Sequence, residues 1–195
     1  VKTSRASKGG AVVGIGGILA MILYMFTGVD LSGILGGGGQ AQSEPGQNLD
    51  HCREEGAANQ YVECRMVATA ESLDALWGAA LPEQAGIRYQ QPSFTIFEGS
   101  VNTACGQATS AVGPFYCPGD QGVYLDVGFF DTLETQLGAD NAPLAQMYIV
   151  AHEWGHHIQN ITGVMQENPN NGTGPDSNGV RMELQADCYA GVWLG

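Results

Sequence analysis

The chain has 195 residues and a formal net charge of −13, long enough for one domain with a real core plus appendages. Three of its seven basic residues, Lys2, Arg5 and Lys8, sit at the amino end, and beyond residue 29 four arginines stand against all twenty acids. Such an acidic body excludes nucleic acid as a partner and suits a soluble domain kept apart from its own copies by repulsion.

From Gly9 to Val29 no residue carries a charge, and most are Ala, Val, Gly, Ile, Leu, Met or Phe. At helical rise this run spans about 31 Å, one hydrocarbon core. The preceding cationic residues 1–8 keep the amino terminus in the cytoplasm by the positive-inside rule and put everything after residue 30 outside the cell membrane. A cleaved signal peptide is the competing reading. The length of the run, and a small-residue site no nearer than Gly39-Gln40-Ala41, favour a single-pass anchor over residues 9–29. Residues 30–48 are rich in Gly and Gln and read as a flexible linker. The globular domain is expected over residues 49–195.

Cys52 and Cys64 are twelve apart, as are Cys105 and Cys117, and none forms a Cys-x-x-Cys pair. Outside the membrane, two local disulfides are the natural reading, against four buried thiols. Cys188 lies in a helical pattern and is expected to be a packed thiol. Gly56 to Leu81 reads as helix in one or two pieces, with Leu73, Leu76, Trp77 and Ala80 on one face and Pro82 as its end. Phe94–Glu98 reads as a strand, and Val123, Leu125 and Val127 alternate through a second. Phe129, Phe130, Leu133 and Leu137 return to helical spacing, with Gly138 as cap. Asn141-Ala142-Pro143 starts a further helix that ends near Gly163. Asn168 to Gly179 reads as a loop, and Ser177 or Asn178 caps a last helix from Val180 to at least Trp193.

The helix after Pro143 carries Val150-Ala151-His152-Glu153-Trp154-Gly155-His156-His157, which contains H-E-x-x-H. His152 and His156 fall about 40° apart on one helical face, so both can reach one metal ion. Glu153, about 100° round, flanks that ion where a base must stand to take a proton from metal-bound water. Two histidines do not complete a catalytic zinc site, which usually takes three protein ligands. The metzincin extension needs Gly and His where this chain has Gln159 and Thr162, so that class is excluded. On the last helix, Glu183 and Asp187 lie at i and i+4. Glu183 is the expected third ligand of a His₂Glu, gluzincin-like set, and Asp187 the acceptor for the N–H of His152. A solvated acidic face is the plainer reading, but the apolar residues around the pair argue that the last helix is largely buried and that its carboxylates have partners. His157 lies about 140° round from His152, so it packs behind the site or serves the surface. Trp154 is expected to fill the core, and Gly155 to let another element approach.

Several motifs occur together: Leu76-Trp77, Asn102-Thr103-Ala104-Cys105-Gly106, Gly113-Pro114-Phe115-Tyr116-Cys117-Pro118, His152-Glu153-x-x-His156-His157 and Glu183-Leu184-Gln185-Ala186-Asp187-Cys188. With these, residues 49 to 195 resemble the bacterial neutral zinc metallopeptidases, single-span membrane proteins with a glycine-rich linker. The resemblance implies a zincin-like α+β fold, mostly helical with a small sheet and preceded by one transmembrane helix, membrane tethering and peptidase activity. Chains of that family continue past the Glu183 helix, so residues completing the cleft are expected beyond Gly195.

The expected function is hydrolysis of peptide bonds in a peptide or protein substrate by a zinc-activated water, with one Zn²⁺ per chain held by His152, His156 and Glu183 and with Glu153 as base. Tyr148 and Tyr189 are candidates for an oxyanion donor, and Gly122 to Val127 for an edge strand that pairs with substrate. The rival is a membrane-anchored binding or scaffold domain that keeps zinc only for stability. A zinc hydrolase of non-peptide amides is a further one.

Overall fold

The computed structural model describes residues 49–137, 142–169, 172 and 174–195. The expected basic tail, membrane segment and linker lie outside the described residues, as do Gly138 and Asn141. Among the described residues no helix is long and apolar enough to cross a membrane.

Mixed helix and small sheet make up the fold. The first long helix, α1 (Val62–Ala80), follows the single turns Asp50–Arg53 and Ala57–Gln60. Its buried Met66, Ala70, Leu73 and Trp77 are spaced by four, three and four residues, the stripe of a helix that packs on one side. Pro82 does not end the helical path. The backbone widens into a looser turn over Leu81–Ala85, which makes room for the proline ring, and the path stops at Gly86 in the left-handed region.

Five strands follow: β1 (Ser93–Phe97), β2 (Ser100–Thr103), β3 (Gly106–Thr109), β4 (Phe115–Cys117) and β5 (Gly122–Asp126). β2 and β3 form an antiparallel hairpin. The other three make a sheet in the order β1-β5-β4, with β1 parallel and β4 antiparallel to β5. The sequence reading missed β2, β3 and β4, which are three or four residues long and carry no sustained apolar alternation. It also assigned Gly122–Val127 to an edge, whereas β5 is the middle strand with both sides paired. All five residues of β5 are buried. Val123 and Leu125 face the helical core, while Tyr124 packs with Phe97, Ala108, Phe115 and Cys117.

Helices α2 (Gly128–Leu137), α3 (Pro143–Ile161) and α4 (Asn178–Leu194) complete the domain. α3 starts with Pro143 in its first turn, where a missing N–H costs nothing, and ends before Gly163 at φ +84°. From Val150 to Gln159 every residue of α3 is buried, because α1, α4, β4 and β5 all pack on it. Trp154 is wholly buried in the core as expected. Ser177 caps α4 by accepting from the Val180 N–H. The expectation that α4 is largely buried fails. Only Glu183, Ala186 and Ala190 are buried, and Leu184 and Val192 on its outer side are exposed. Cys188 shares that outer side, so the thiol expected to be packed is exposed.

Both expected disulfides form. Cys52–Cys64 ties the first turn to α1, and Cys105–Cys117 ties the tip of the β2–β3 hairpin to β4. Each closes a loop of a dozen residues and so removes conformational freedom from the unfolded chain, an effect of roughly 3 kcal/mol.

Helices α3 and α4 approach each other closely at Gly155. A Cβ there would lie 2.9 Å from both the Cα and the O of Ala186 on α4. That is backbone, which cannot rotate away. Gly155→Ala is therefore expected to destabilise the domain by about 1–3 kcal/mol in denaturant unfolding, through the strain of an overpacked contact. Unchanged stability would mean that α3 and α4 are free to separate.

Candidate metal centre

The crossing of α3 and α4 brings three donors together. His152 Nε2 is 3.1 Å and His156 Nε2 is 3.4 Å from the same oxygen, Oε2 of Glu183. All three residues are buried, and one donor atom from each lies within 4.8 Å of the others. The two imidazoles stand edge to face, 4.8 Å between centroids. The i, i+4 spacing on α3 and the position of Glu183 on α4 thus meet as the sequence reading expected. A second cluster, His51 with Cys52 and Cys64, has its two sulfurs joined in a disulfide and offers no thiolates.

Asp187 lies one turn beyond Glu183, and its Oδ1 is 2.9 Å from His152 Nδ1. A carboxylate only accepts, so Nδ1 carries the hydrogen and Nε2 is turned to the cluster. Tyr148 donates its hydroxyl to the same Asp187 oxygen at 2.8 Å. Its hydroxyl is therefore committed behind the histidine, and the ring of Tyr189 packs edge-on against Trp77. Neither tyrosine makes a hydrogen bond into the cluster.

The electrostatics are those of a closely coupled group. Burial disfavours a charged His152, but hydrogen bonds to Asp187 and Glu183 outweigh it and raise its pKa to about 10. Burial likewise opposes a charged Glu183, and the two histidines overcome it and hold the carboxyl down at about 2. The remaining carboxylate, Glu153, is 1% exposed, and neither oxygen has a hydrogen-bond partner. Burial pushes its pKa up, against the pull of His156 and His152 and a weak favourable contact from the Tyr116 backbone that falls short of a hydrogen bond. A buried carboxylate without hydrogen-bond partners costs several kcal/mol, so its place beside the two histidines of the candidate centre is unlike that of a structural residue.

Two further residues escaped the sequence reading. Gln159, fully buried, accepts from His156 Nδ1 at 2.9 Å. Spacing could have pointed to it, since i+3 from His156 returns to the same face. Tyr116 on β4 meets His157, which is fully buried, so the surface role considered for His157 is excluded. His157 Nε2 is 2.6 Å from the Gln90 carbonyl and must donate to it. Nδ1 then accepts from the Tyr116 hydroxyl at 3.1 Å, and that oxygen accepts from Asn160 at 2.7 Å. Burial lowers the His157 pKa and keeps the ring neutral, as this pattern requires. No sequence spacing announces Tyr116, because forty-one residues separate it from His157.

The profile of the family described as "Putative neutral zinc metallopeptidase" matches residues 2–195. The chain belongs to this family. It is similar to the uncharacterized protein Rv2575 of Mycobacterium tuberculosis, 46% identical over 172 residues, which are 87% of this chain and 57% of that protein. The uncharacterized protein Mb2605 of Mycobacterium bovis matches to the same extent. YpfJ of Escherichia coli K12, also uncharacterized, is 37% identical over 210 residues, 99% of this chain and 70% of that protein. The chain thus spans little more than half the length of its mycobacterial relatives. No solved structure matches it.

The donor set fits the family's zinc: two imidazoles and one carboxylate, borderline and hard donors of the kind zinc takes, with an unpartnered carboxylate alongside. Titration of metal-free protein with zinc is expected to saturate at one ion per chain. Since His152 holds a proton at neutral pH without metal, binding is expected to release protons and to weaken as pH falls, which calorimetry in buffers of different ionisation heat would measure. Asp187→Asn is expected to weaken binding by about tenfold to a hundredfold. Wild-type affinity in that variant would remove Asp187 from the site.

Proposed function

We propose that the protein is a zinc-dependent metallopeptidase of zincin-like fold, held at the outer face of the cell membrane by residues 9–29 and acting on peptide or protein substrates. The observation that carries this reading is Glu153, buried without a partner next to His152, His156 and Glu183. A centre kept only for stability has no use for an uncompensated carboxylate, and a hydrolase does. The uncharged run after three basic residues supports the anchor, and the two disulfides suit an oxidising compartment outside the cytoplasm.

His152, His156 and Glu183 would hold the ion. When bound, zinc supplies a Lewis acid that acidifies water and polarises a carbonyl. Glu153 takes the proton of the attacking water and returns it to the departing amine. Burial raises its affinity for a proton, the direction a base that must also hold that proton needs. Asp187 and Tyr148 keep the His152 ring fixed throughout.

In the full-length protein, Glu153→Gln is expected to keep zinc and to lose cleavage of a mixed peptide library by about 10²- to 10⁴-fold. Undiminished cleavage by that variant would sink the assignment of the base. A zinc-loaded wild type that cleaves no peptide would favour the scaffold reading instead.

A further inference from the structure

We infer that Gln159 is a positioning residue that makes His156 and Glu183 a single unit, fixing the imidazole tautomer with one end of its amide and the backbone next to Glu183 with the other. The inference rests on the zinc reading above.

Gln159 follows His156 by one turn of α3 and has no solvent exposure. Its Nε2 is 2.7 Å from the carbonyl oxygen of Met182 and 3.0 Å from Oε1 of Gln185. A backbone carbonyl can only accept, so the nitrogen end of the amide must face Met182; the flipped amide would set two oxygens against each other. The other end, Oε1, can then only accept, and its partner at 2.9 Å is His156 Nδ1. The hydrogen of His156 is thereby fixed on Nδ1. Nε2 is left as the nitrogen that faces Glu183, 3.4 Å away.

Met182 is the residue immediately before Glu183. The side chain that sets the His156 ring on α3 therefore also grips α4 at the peptide unit that carries the third donor. His152 is oriented from α4 as well, by Asp187. The two histidines differ in what stands behind them: a carboxylate for one and a neutral amide for the other. Chemistry explains the amide. The pocket already holds Glu153, Glu183 and Asp187, so a fourth carboxylate would add repulsion. An ionised carboxylate would also have no N–H to give the Met182 carbonyl, which would be left facing an anion.

The test uses full-length protein and zinc alone, with affinity measured by competition against a chromophoric chelator. Gln159→Met preserves length and bulk but removes donor and acceptor. Its affinity is expected to fall by about tenfold to a hundredfold, the usual effect of removing a group that orients a metal ligand. Cobalt(II) in place of zinc should show a changed visible spectrum in the variant, because the His156 ring is no longer held. A merely structural role would lower the unfolding midpoint of the metal-free protein and leave both the affinity and the cobalt spectrum of the folded variant as in wild type. That result would overturn the inference while leaving the zinc site standing. If Gln159→Met does not fold, Gln159→Asn takes its place: it keeps the amide but is one methylene too short to span both partners. The same loss is expected and the same result would overturn. A wild type that binds no zinc would overturn the zinc reading and this inference together.

Discussion

Where α3 and α4 cross, Gly155 on one helix faces Ala186 on the other, close enough that a single added methyl group would press on backbone. Small residues at a helix crossing let two backbones approach, and here that approach has a chemical consequence. Glu183 lies three residues before Ala186 and Asp187 one after it, while His152 and His156 bracket Gly155 by three residues and one. The contact therefore sets the distance between the two histidines of one helix and the two carboxylates of the other. With a larger side chain at either position, Glu183 would move away from the imidazoles, and the donors would not converge.

Such a convergence is costly without something to share the charge. Two buried carboxylates, Glu183 and Glu153, and a half-exposed one, Asp187, surround the two imidazoles. In the metal-free protein, protons meet part of that cost: His152 is held basic and Glu183 acidic. A divalent cation would do the same work by displacing protons, which is why metal binding and proton release belong together at this centre. Among the carboxylates of this centre, Glu153 is the one whose oxygens have no hydrogen-bond partner.

The rest of the domain holds α3 still. Trp154 donates its indole N–H toward Asp74 on α1 and to the Tyr89 hydroxyl, His157 reaches the Gln90 carbonyl and Tyr116 on β4, and Gln159 reaches α4. The residues between and beside the two motif histidines thus anchor the helix in three directions. The Cys105–Cys117 bridge joins β4 to the hairpin, which keeps Tyr116 in reach of His157. The burial of residues 150–159 on every side of α3 goes with these anchors.

Periodicity and local chemistry were enough to place the helices, the pair His152 and His156, the glutamate between them, and the carboxylates at Glu183 and Asp187, because helical spacing is a property of neighbouring residues. The two twelve-residue cysteine spacings were legible for the same reason. The short strands, the central place of β5, the exposed outer side of α4 with Cys188, and the braces Tyr116 and Gln159 were not. Strand order depends on pairing between distant segments, and β5 is buried on both faces only because helices cover one and the hairpin covers the other. Whether a helix face is covered depends on what packs there, not on its own composition, which is how α4 misled. The sequence by itself determined which residues could bind a metal; the packing of α3 on α4 decided that they meet, since only tertiary contact spans the thirty residues between His152 and Glu183.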